Sequence, residues 1–210
     1  MDEKLTVIDH PLIEHKLAIL RDRNTGVKAF HEAAGEIARH LCYEASRDLQ
    51  LEDIEVETPI KKCKSPALSG KKLAVVPVMR AGLAMTEGVL SLIPGAKVGT
   101  IGVYRDAETK SPVEYYCKLP PDIGERDVFV LDPVVATGES TAAAVQFVKT
   151  YGAKRIRVLV IIAAREGLEK LRADHPDIEI ICAAVDEGMT EDLYVIPGLG
   201  DFGDRAFGTK

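Results

Sequence analysis

A carboxylate and a cluster of hydroxyls within residues 132–140 form the pattern with the clearest chemistry in this chain. The apolar run 128–131 predicts a buried strand that ends at Asp132, and the segment 141–151 predicts a helix. Backbone N–H groups at a helix N-terminus, with hydroxyls beside them, can bind phosphate oxygens. Because Asp132 can also accept hydrogen bonds from ribose hydroxyls, this segment predicts a phosphoribosyl site.

The hydroxyls expected to contact the phosphate belong to Thr137, Ser140 and Thr141. A purely structural interpretation also fits, since a helix that follows a core strand uses the same residue types to cap its own N-terminus. Two other phosphate motifs are excluded. No Gly-Lys-Ser/Thr stands at the spacing of a Walker loop, and no Gly-x-Gly-x-x-Gly opens a dinucleotide site.

The C-terminal segment 194–205, together with residues 207–210, carries four glycines. We expect a loop here, because each glycine raises the entropy cost of ordering the interior of a helix or strand. Such a backbone can bend sharply and come close to a flat ligand. A flexible chain end is the alternative, but Ile196, Leu199, Phe202 and Phe207 are too apolar for a solvated tail.

Both segments resemble one known family. Residues 132–140, Asp-Pro-Val-Val-Ala-Thr-Gly-Glu-Ser, are similar to the loop that binds 5-phosphoribosyl 1-diphosphate (PRPP) in uracil phosphoribosyltransferases. The C-terminal segment resembles the uracil-binding signature of that family. The resemblance covers nearly the whole chain, and the further similar segments are residues 9–17, 56–60, 78–83, 104–106 and 113–116.

The resemblance implies a reaction in which N1 of uracil joins C1 of PRPP, giving UMP and diphosphate. Charge builds on the departing diphosphate while the ribose gains oxocarbenium character, so catalysis would rest on charge stabilisation and alignment. Uracil offers two N–H donors and two carbonyl acceptors, which the backbone groups of a loop can match. Cytosine would be rejected because its 4-amino group inverts donor and acceptor.

The resemblance also implies roles for individual residues. Arg80 and Arg105, each directly after a predicted strand, would bind PRPP chiefly at its diphosphate, although either alone could be a surface residue. The other implied PRPP contacts are Asp132, Pro133, Val134, Val135, Ala136, Thr137, Gly138, Glu139, Ser140 and Asp201. The implied uracil contacts are Val195 through its backbone, Gly200, Asp201 and Phe202. The implied catalytic residues are Asp132, Asp201 and Arg105, and the acceptor of the N1 proton stays open between Asp201, solvent and diphosphate.

Mg²⁺ is the implied cofactor, because diphosphate leaves poorly unless its charge is neutralised. Many phosphoribosyltransferases place two adjacent acids at the strand end, whereas here the second position is Pro133. Ribose contact therefore falls to Asp132 alone, and Mg²⁺ would be held mainly by PRPP and water, with Asp201 the best candidate to contact the metal–PRPP unit. The five histidines form no metal pattern: His10 and His15 are expected to pack or to cap a helix, and the other three to lie on the surface.

Two residues, Phe202 and Glu139, depart from the family pattern, in which small residues are common at these positions. The ring of Phe202 is expected either to turn into the core or to stack on the base. A carboxylate about 6 Å from a phosphate charge would cost about 0.7–3 kcal/mol, unless Glu139 points to solvent and contributes only its backbone. Weaker PRPP binding is the expected consequence, rather than loss of function.

The elements that would position these residues alternate between strands and helices. Continuous apolar runs, typical of parallel strands covered on both faces, span residues 73–78, 98–104, 128–131, 157–163 and 178–185. Helices are predicted at residues 11–21, 27–49, 83–92, 141–151 and 168–173. We predict a single domain, residues 1–210, of the α/β class. Its open, mostly parallel sheet flanked by helices would be the type I phosphoribosyltransferase fold, with ligands beyond the carboxyl ends of the strands.

Two parts of the chain are expected to leave this alternation. Prolines bracket residues 113–119, which predicts a β-arm or hairpin within about 106–126. The resemblance implies that this arm projects and helps to form a homodimer, with a tetramer as the alternative. The loop of about 194–205 would form a C-terminal hood over the base.

The composition is that of an ordinary globular protein, with 210 residues of which 46% are hydrophobic and 29% charged. A formal net charge of −6 argues against a protein that binds nucleic acid. No apolar run reaches membrane-spanning length and the N-terminus lacks a signal pattern, so we expect no membrane partner and a cytoplasmic location. The four cysteines are widely spaced and are expected to be buried free thiols: Cys42, Cys63, Cys117 and Cys182.

Two rival functions follow from the same residues. A non-catalytic regulator that senses PRPP and binds nucleic acid or a protein partner predicts a basic face and an eroded base loop. This chain instead has an acidic balance and an intact segment 198–205. The same reaction with another base is limited by the uracil-type loop. A regulatory nucleotide such as GTP is known in parts of the family, and no residue of this sequence points to a site for one.

Overall fold

A computed structural model describes residues 4–70, 73–105 and 112–210, with Arg105 described by its backbone alone. The helices are α1 (Pro11–Arg21), α2 (Val27–Ala45), α3 (Leu83–Leu92), α4 (Glu139–Thr150), α5 (Arg165–Asp174) and α6 (Phe202–Phe207), with a 3-10 turn at Ile123–Glu125. The strands are β1 (Leu5–Val7), β2 (Leu51–Glu57), β3 (Lys62–Leu68), β4 (Leu73–Met79), β5 (Lys97–Val98), β6 (Thr100–Arg105), β7 (Pro112–Lys118), β8 (Asp127–Leu131), β9 (Val134–Val135), β10 (Arg155–Ala164), β11 (Glu179–Asp186), β12 (Gly188–Met189) and β13 (Val195–Ile196).

The central sheet is open and has the strand order β1-β11-β10-β8-β4-β6-β7. Its strands run parallel except for the pair β6–β7, which is antiparallel. The short strands β5 and β9 pair with β4 and β10. The predicted α/β class with an open, mostly parallel sheet is therefore confirmed. Because β4, β8 and β11 point the same way, the residues that follow them meet at one edge of the sheet.

Helices cover both faces of this sheet, which explains why its strands are continuous apolar runs. Within β4, Leu73 and Val75 pack towards α1, α2, α3 and α6, whereas Ala74 and Val76 pack towards α4 and α5. All four side chains are fully buried. The core thus consists of two apolar layers separated by the sheet, and the sheet fixes where each strand ends.

The hairpin β2–β3 projects from the central sheet and is not predicted from the sequence. Leu51 of β2 lies opposite Leu68 of β3, and the two strands pair only with each other. Exposed apolar residues such as Leu51, Ile54 and Ile60 break any alternation between a buried and a solvated face, and Ile60 at the tip is 88% exposed. Without that period, the strongest sequence signal for a strand is missing. The helix before it, α2, ends at Ala45 rather than at the predicted residue 49.

The segment predicted as a β-arm or hairpin, about 106–126, contains one strand of a hairpin and a turn that packs on the core. β7 is the edge strand of the central sheet, hydrogen-bonded to β6. Residues 106–111, between these strands in the chain, lie outside the described residues. After β7 the chain packs back on the core, with Ile123 only 2% exposed and an ion pair of 2.8 Å between Arg126 and Asp122. Of the arm and the hairpin predicted for residues 113–119, the hairpin is confirmed, because β7 pairs antiparallel with β6. A second hairpin, β2–β3, pairs apart from the central sheet.

Candidate active site

Three strands deliver polar side chains to the carboxyl edge of the sheet. Asp132 directly follows β8, Arg80 directly follows β4, and Asp186 ends β11. β8 lies beside β4 on one side and beside β10 on the other, and β11 is the next strand after β10. The edge that the sequence predicts as a ligand site therefore carries two carboxylates and a guanidinium.

Asp132 is buried, at 8% exposure, beneath the first turn of α4. Its Oδ2 accepts a hydrogen bond of 2.6 Å from the hydroxyl of Thr141. Removal from water raises the pKa of Asp132 to about 6, although the hydrogen bonds from the Thr141 hydroxyl and from the Val134 N–H act in the opposite direction. Thr141, predicted to contact phosphate, is buried, and its hydroxyl donates to Asp132 instead.

The segment after Asp132 is held against β10 and α5 by its backbone. The carbonyl of Pro133 accepts hydrogen bonds from the N–H groups of Ile161 and Ile162, and β9 continues the sheet beside β10. Gly138 has a φ of +79°, and a Cβ on it would lie 2.5 Å from the carbonyl oxygen of Gly167 in α5. Only glycine fits this position, so the loop closes tightly just before α4.

Helix α4 begins at Glu139, two residues before the predicted start, and its N-terminus faces the same edge. Its N-cap residue, Gly138, supplies no side-chain hydrogen bond. The hydroxyl of Thr137 accepts one long hydrogen bond of 3.4 Å from the N–H of Glu139, and Ser140 is exposed. The capping interpretation of these hydroxyls is therefore only weakly supported, and the first N–H groups of the helix form a ready site for an anion.

Arg80 lies between this loop and the C-terminal segment. The turn that carries it packs on the end of β8, since a Cβ at Gly82 would lie 2.2 Å from the carbonyl oxygen of Leu131. The Met79–Arg80 peptide bond is cis. The Arg80 side chain is half exposed, and its Nη2 lies 3.4 Å from Oδ1 of Asp204. Arg80 thus touches the segment that the sequence predicts as the base loop.

The C-terminal segment is a loop followed by a short helix. β13 pairs with β12, and Gly198 and Gly200 then adopt φ values of +63° and +77°. Asp201 caps α6, where its Oδ1 accepts a 2.8 Å hydrogen bond from the N–H of Asp204. Gly203 lies inside α6, so the expectation that none of these glycines sits in a helix was wrong. A helix this short tolerates glycine because Asp201 caps it and because Phe202 and Ala206 are buried.

Three supporting residues of this loop are missed by the sequence reasoning. Asp186 accepts hydrogen bonds from Arg21 and from the N–H of Gly198, and Arg205 donates to the carbonyl of Leu199. Arg205 also lies over the ring of Phe30, at 4.5 Å from its centroid. Apart from the bond between Arg205 and Leu199, these contacts join residues far apart in the chain, and no local sequence pattern predicts them.

Comparison with known proteins places this arrangement in a family. The family model described as uracil phosphoribosyltransferase matches residues 7–209. The chain is 56% identical over 210 residues to the uracil phosphoribosyltransferase of Caldanaerobacter subterraneus subsp. tengcongensis, with 100% of both chains covered. It is 58% identical over 207 residues to that of Finegoldia magna, with 99% of each covered. A solved protein from Aquifex aeolicus matches with a TM-score of 0.92 and 35% identity, covering 98% of this chain and 99% of that one.

The chain belongs to the uracil phosphoribosyltransferase family. The predicted type I phosphoribosyltransferase fold is confirmed with it. Among the described residues, no helix is both long and apolar enough to cross a membrane.

Phe202, one of the two departures from the family pattern, belongs to the core. Its side chain is 3% exposed and meets the ring of Phe30 edge to face, with centroids 5.1 Å apart. Of the two orientations predicted, the inward one is therefore present. Any contact of Phe202 with a base falls to its backbone.

Glu139, the other departure, is half-buried and does not extend into open solvent. Its side chain lines the groove between α4 and α5, and one carboxylate oxygen has almost no accessible surface. The groove is also lined by Ala142, Ala143, Gln146, Lys170 and His175. The charge of Glu139 therefore stays close to the start of α4 rather than being dispersed in water.

The remaining predicted residues are Arg105 and the histidines. The backbone of Arg105 ends β6 at the same edge of the sheet, and its side chain lies outside the described atoms. His10 accepts a hydrogen bond from the N–H of Leu12 and caps α1, as predicted. His175 is not a surface residue: it is 6% exposed, and its Nε2 donates to the carbonyl of Ala142 at 2.8 Å. It is buried because it ends α5 where that helix packs on α4.

The four cysteines are free, as expected, but only two of them are buried. Cys42 and Cys182 lie in the core, whereas Cys63 and Cys117 are half-exposed on β3 and β7. β3 belongs to the two-stranded hairpin and β7 is the edge strand of the central sheet, and neither strand has a buried residue at its thiol position.

Proposed function

We propose that this protein transfers the 5-phosphoribosyl group of PRPP to N1 of uracil, forming UMP and diphosphate. The bond between C1 of the ribose and the diphosphate oxygen breaks, the bond between C1 and N1 forms, and N1 loses its proton. The observation that carries this proposal is the contact between Arg80 and Asp204. It joins the phosphate-binding edge of the sheet to the C-terminal loop, so one site can hold a phosphoribosyl group and a base together.

The 5-phosphate would bind at the start of α4. The N–H groups of Gly138, Glu139 and Ser140, with the hydroxyls of Thr137 and Ser140, offer donors to its oxygens. Pro133, Val134, Val135 and Ala136 would contribute through the backbone that shapes the loop. Asp132, ionised above its pKa of about 6, would accept hydrogen bonds from the ribose hydroxyls.

The diphosphate would bind beside Arg80, and Arg105 would contribute from the end of β6. A guanidinium matches two phosphate oxygens at once and stabilises the charge that grows on the leaving group. The contact of Arg80 with Asp204 is long and half exposed, so a diphosphate with several negative charges would displace it readily.

Mg²⁺ fits this site as a substrate-borne ion. Among the described residues, no three His, Cys, Asp or Glu side chains form a metal site. The edge instead offers two oxygen donors, Asp132 and Asp201, and Mg²⁺ commonly uses one or two carboxylates with phosphates and waters. When bound, it would neutralise the charge of the diphosphate. The protein's part is to hold PRPP so that the ribose C1 faces the base.

Uracil would lie against the backbone of the C-terminal loop, at Val195, Gly200, Asp201 and Phe202. A loop with positive φ at Gly200 presents N–H and C=O groups to a flat edge without a Cβ in the way. Asp201, at the N-terminus of α6 and beside Arg80, is the carboxylate best placed to meet both substrates. The proton of N1 would pass to Asp201, to solvent or to diphosphate.

The homodimer remains a proposal, and the projecting hairpin β2–β3 now supports it better than residues 106–126 do. An isolated two-stranded hairpin is marginally stable in water, and this one exposes apolar side chains such as Ile60. Packing against a second copy would cover them. Light scattering coupled to size exclusion would measure the mass in solution, and an Ile60→Glu variant should shift that mass towards the monomer.

The test of the reaction is UMP formation from uracil and PRPP with Mg²⁺, beside cytosine and hypoxanthine as alternative bases. Uracil-specific turnover is expected. It should collapse in Asp132→Asn and persist in Asp127→Asn, which removes an equally buried carboxylate at the other end of β8. No turnover with any base, or equal loss in both variants, would reject the proposal.

A further inference from the structure

We propose that Asp186 and Arg21 are positioning residues that hold the base loop in its binding conformation and thereby set affinity and selectivity for uracil. The proposal rests on the function proposed above. It concerns a cluster behind the loop rather than the residues that face the substrates.

Asp186 ends β11 and is 7% exposed. Its two carboxylate oxygens accept hydrogen bonds of 2.7 and 2.8 Å from the guanidinium of Arg21, a two-pronged geometry. Oδ2 also accepts a 2.8 Å hydrogen bond from the N–H of Gly198. Arg21 in turn donates to the carbonyl of Gly198 at 2.9 Å, so the ion pair holds both backbone groups of that glycine.

Gly198 is the point where the loop most needs such support. Its φ is +63°, and a Cβ on it would lie 2.0 Å from the carbonyl oxygen of Val195. Strand pairing ends with β13 at Ile196, two residues before Gly198, and Gly200 and Asp201 follow shortly after it. Backbone groups that are to face a base cannot also bind one another, so side chains from elsewhere must fix the loop.

A second arginine, Arg205, also holds this loop in place. Arg205 donates to the carbonyls of Leu199 and Asp22, each at 2.6 Å, and also to the carbonyl of Leu20. Arg21 therefore lies in the last turn of α1, and Arg205 bonds to Leu20 in that turn and to Asp22 just after it. The end of α1 is the platform on which the base loop rests.

The ionic state of the pair supports this role. Burial opposes the ionisation of Asp186, but the hydrogen bonds from Arg21 and from the Gly198 N–H outweigh it, together with the charge of Arg21. The pKa of Asp186 consequently lies below its ordinary value. The carboxylate is charged at any pH at which the enzyme would be assayed.

Removing the charge should loosen the loop, which uracil would then have to order as it binds. Losing hydrogen bonds to a charged group predicts a KM for uracil that rises roughly ten- to a hundredfold in Asp186→Asn. Of the PRPP contacts proposed above, only Asp201 belongs to this loop, so the KM for PRPP at saturating uracil should change less than about threefold. A general loss of folding would instead lower the apparent kcat, because fewer molecules are active, and would leave both KM values unchanged.

The experiment compares Asp186→Asn and Arg21→Lys with the control Asp127→Asn. Arg21→Lys keeps the charge but removes the two-pronged geometry, and it covers the case in which Asp186→Asn does not fold. Asp127 is a matched control because it is 8% exposed and pairs with Arg155 at 2.8 Å, at the opposite end of the sheet. Steady-state kinetics with each substrate varied, and the ratio of kcat/KM for uracil over cytosine, are the measurements.

In both test variants we expect the KM to rise for uracil alone and the ratio of kcat/KM for uracil over cytosine to fall. In the control we expect neither change. Unchanged uracil KM in folded Asp186→Asn or Arg21→Lys would overturn the inference, as would an equal rise of both KM values. If the unmodified protein does not use uracil at all, the proposed function fails instead, which this comparison shows separately.

Discussion

Replacing Asp132 by asparagine should stabilise the protein at neutral pH while it abolishes the proposed activity. Asp132 is buried, and its charge is opposed by the loss of water rather than supported by a positive partner. Such a cost is typical of a group kept for function, because a neutral residue of the same shape would fold more favourably.

The size of the effect follows from the pKa. The carboxyl group titrates near its ordinary value of 3.8 in the unfolded chain and near about 6 in the folded protein. Because the folded pKa is raised, the penalty develops as the pH rises between these values and is complete above the higher one. It amounts to about 1 kcal/mol at pH 4.5 and about 3 kcal/mol at pH 7.5.

Asparagine removes this penalty but also loses one hydrogen bond, since its amide nitrogen cannot accept from the Val134 N–H or the Thr141 hydroxyl. That loss is about 1 kcal/mol. The net gain in the free energy of unfolding should therefore be near zero at pH 4.5 and about 2 kcal/mol at pH 7.5. For a chain of this length, the gain at pH 7.5 corresponds to a rise of about 4–8 °C in Tm.

Urea unfolding of both proteins at pH 4.5, 6 and 7.5, at one protein concentration and without substrates, measures the difference. Asp186→Asn provides the contrast, because the pKa of Asp186 is lowered and its contribution is lost only below its ordinary value of 3.8. Its deficit should stay constant over the same pH range. If the difference between Asp132→Asn and the unmodified protein does not change with pH, the burial argument for Asp132 is refuted.

Four further variants probe the two loops. Arg80→Gln should raise the KM for PRPP about tenfold or more in steady-state kinetics, with a smaller change for uracil, because charge-assisted hydrogen bonds to the diphosphate are lost. Glu139→Gln should lower the KM for PRPP about threefold at low salt, since a half-buried charge near the phosphate disappears. Phe202→Ala should destabilise the protein by about 3–5 kcal/mol in urea unfolding, because a fully packed ring leaves a cavity. Gly138→Ala should weaken PRPP binding about tenfold by calorimetry, since a positive φ and the carbonyl of Gly167, 2.5 Å from the new Cβ, distort the phosphate loop.

Each of these variants has an outcome that contradicts its reasoning. Equal changes in the KM values for PRPP and for uracil would mean that Arg80 does not bind the diphosphate. A KM for PRPP that does not change in Glu139→Gln at low salt would mean that this charge does not act on the phosphate. A loss below about 1 kcal/mol for Phe202→Ala would mean that the ring is not packed in the core. Unchanged PRPP affinity in Gly138→Ala would show that the loop is not rigid.

The sequence predicts the central fold well because the signals are local and strong. Four of the five predicted core strands are apolar runs that are largely buried, whereas residues 98–104 are divided between β5 and β6, with Val98 and Tyr104 exposed. Helix α1 spans the predicted residues because His10 and Asp22 mark its ends. The hairpin β2–β3 fails this test, since neither of its faces is buried and its apolar residues have no period. Helix α6 fails for another reason: six residues with an internal glycine have weak intrinsic propensity, and tertiary packing of Phe202 decides the outcome.

The site divides in the same way, between parts encoded locally and parts encoded at a distance. The proposed phosphate loop is fixed by its own glycine and by backbone bonds to a neighbouring strand, so a contiguous motif contains its support. The proposed base loop depends on Arg21, Asp186 and Arg205, of which only Arg205 lies within the motif. Arg21 is separated from Asp186 by 165 positions in the chain, and they pair only because the fold brings the end of α1 to the end of β11. Substitutions at the end of α1 should therefore alter base binding while the recognisable motifs stay intact.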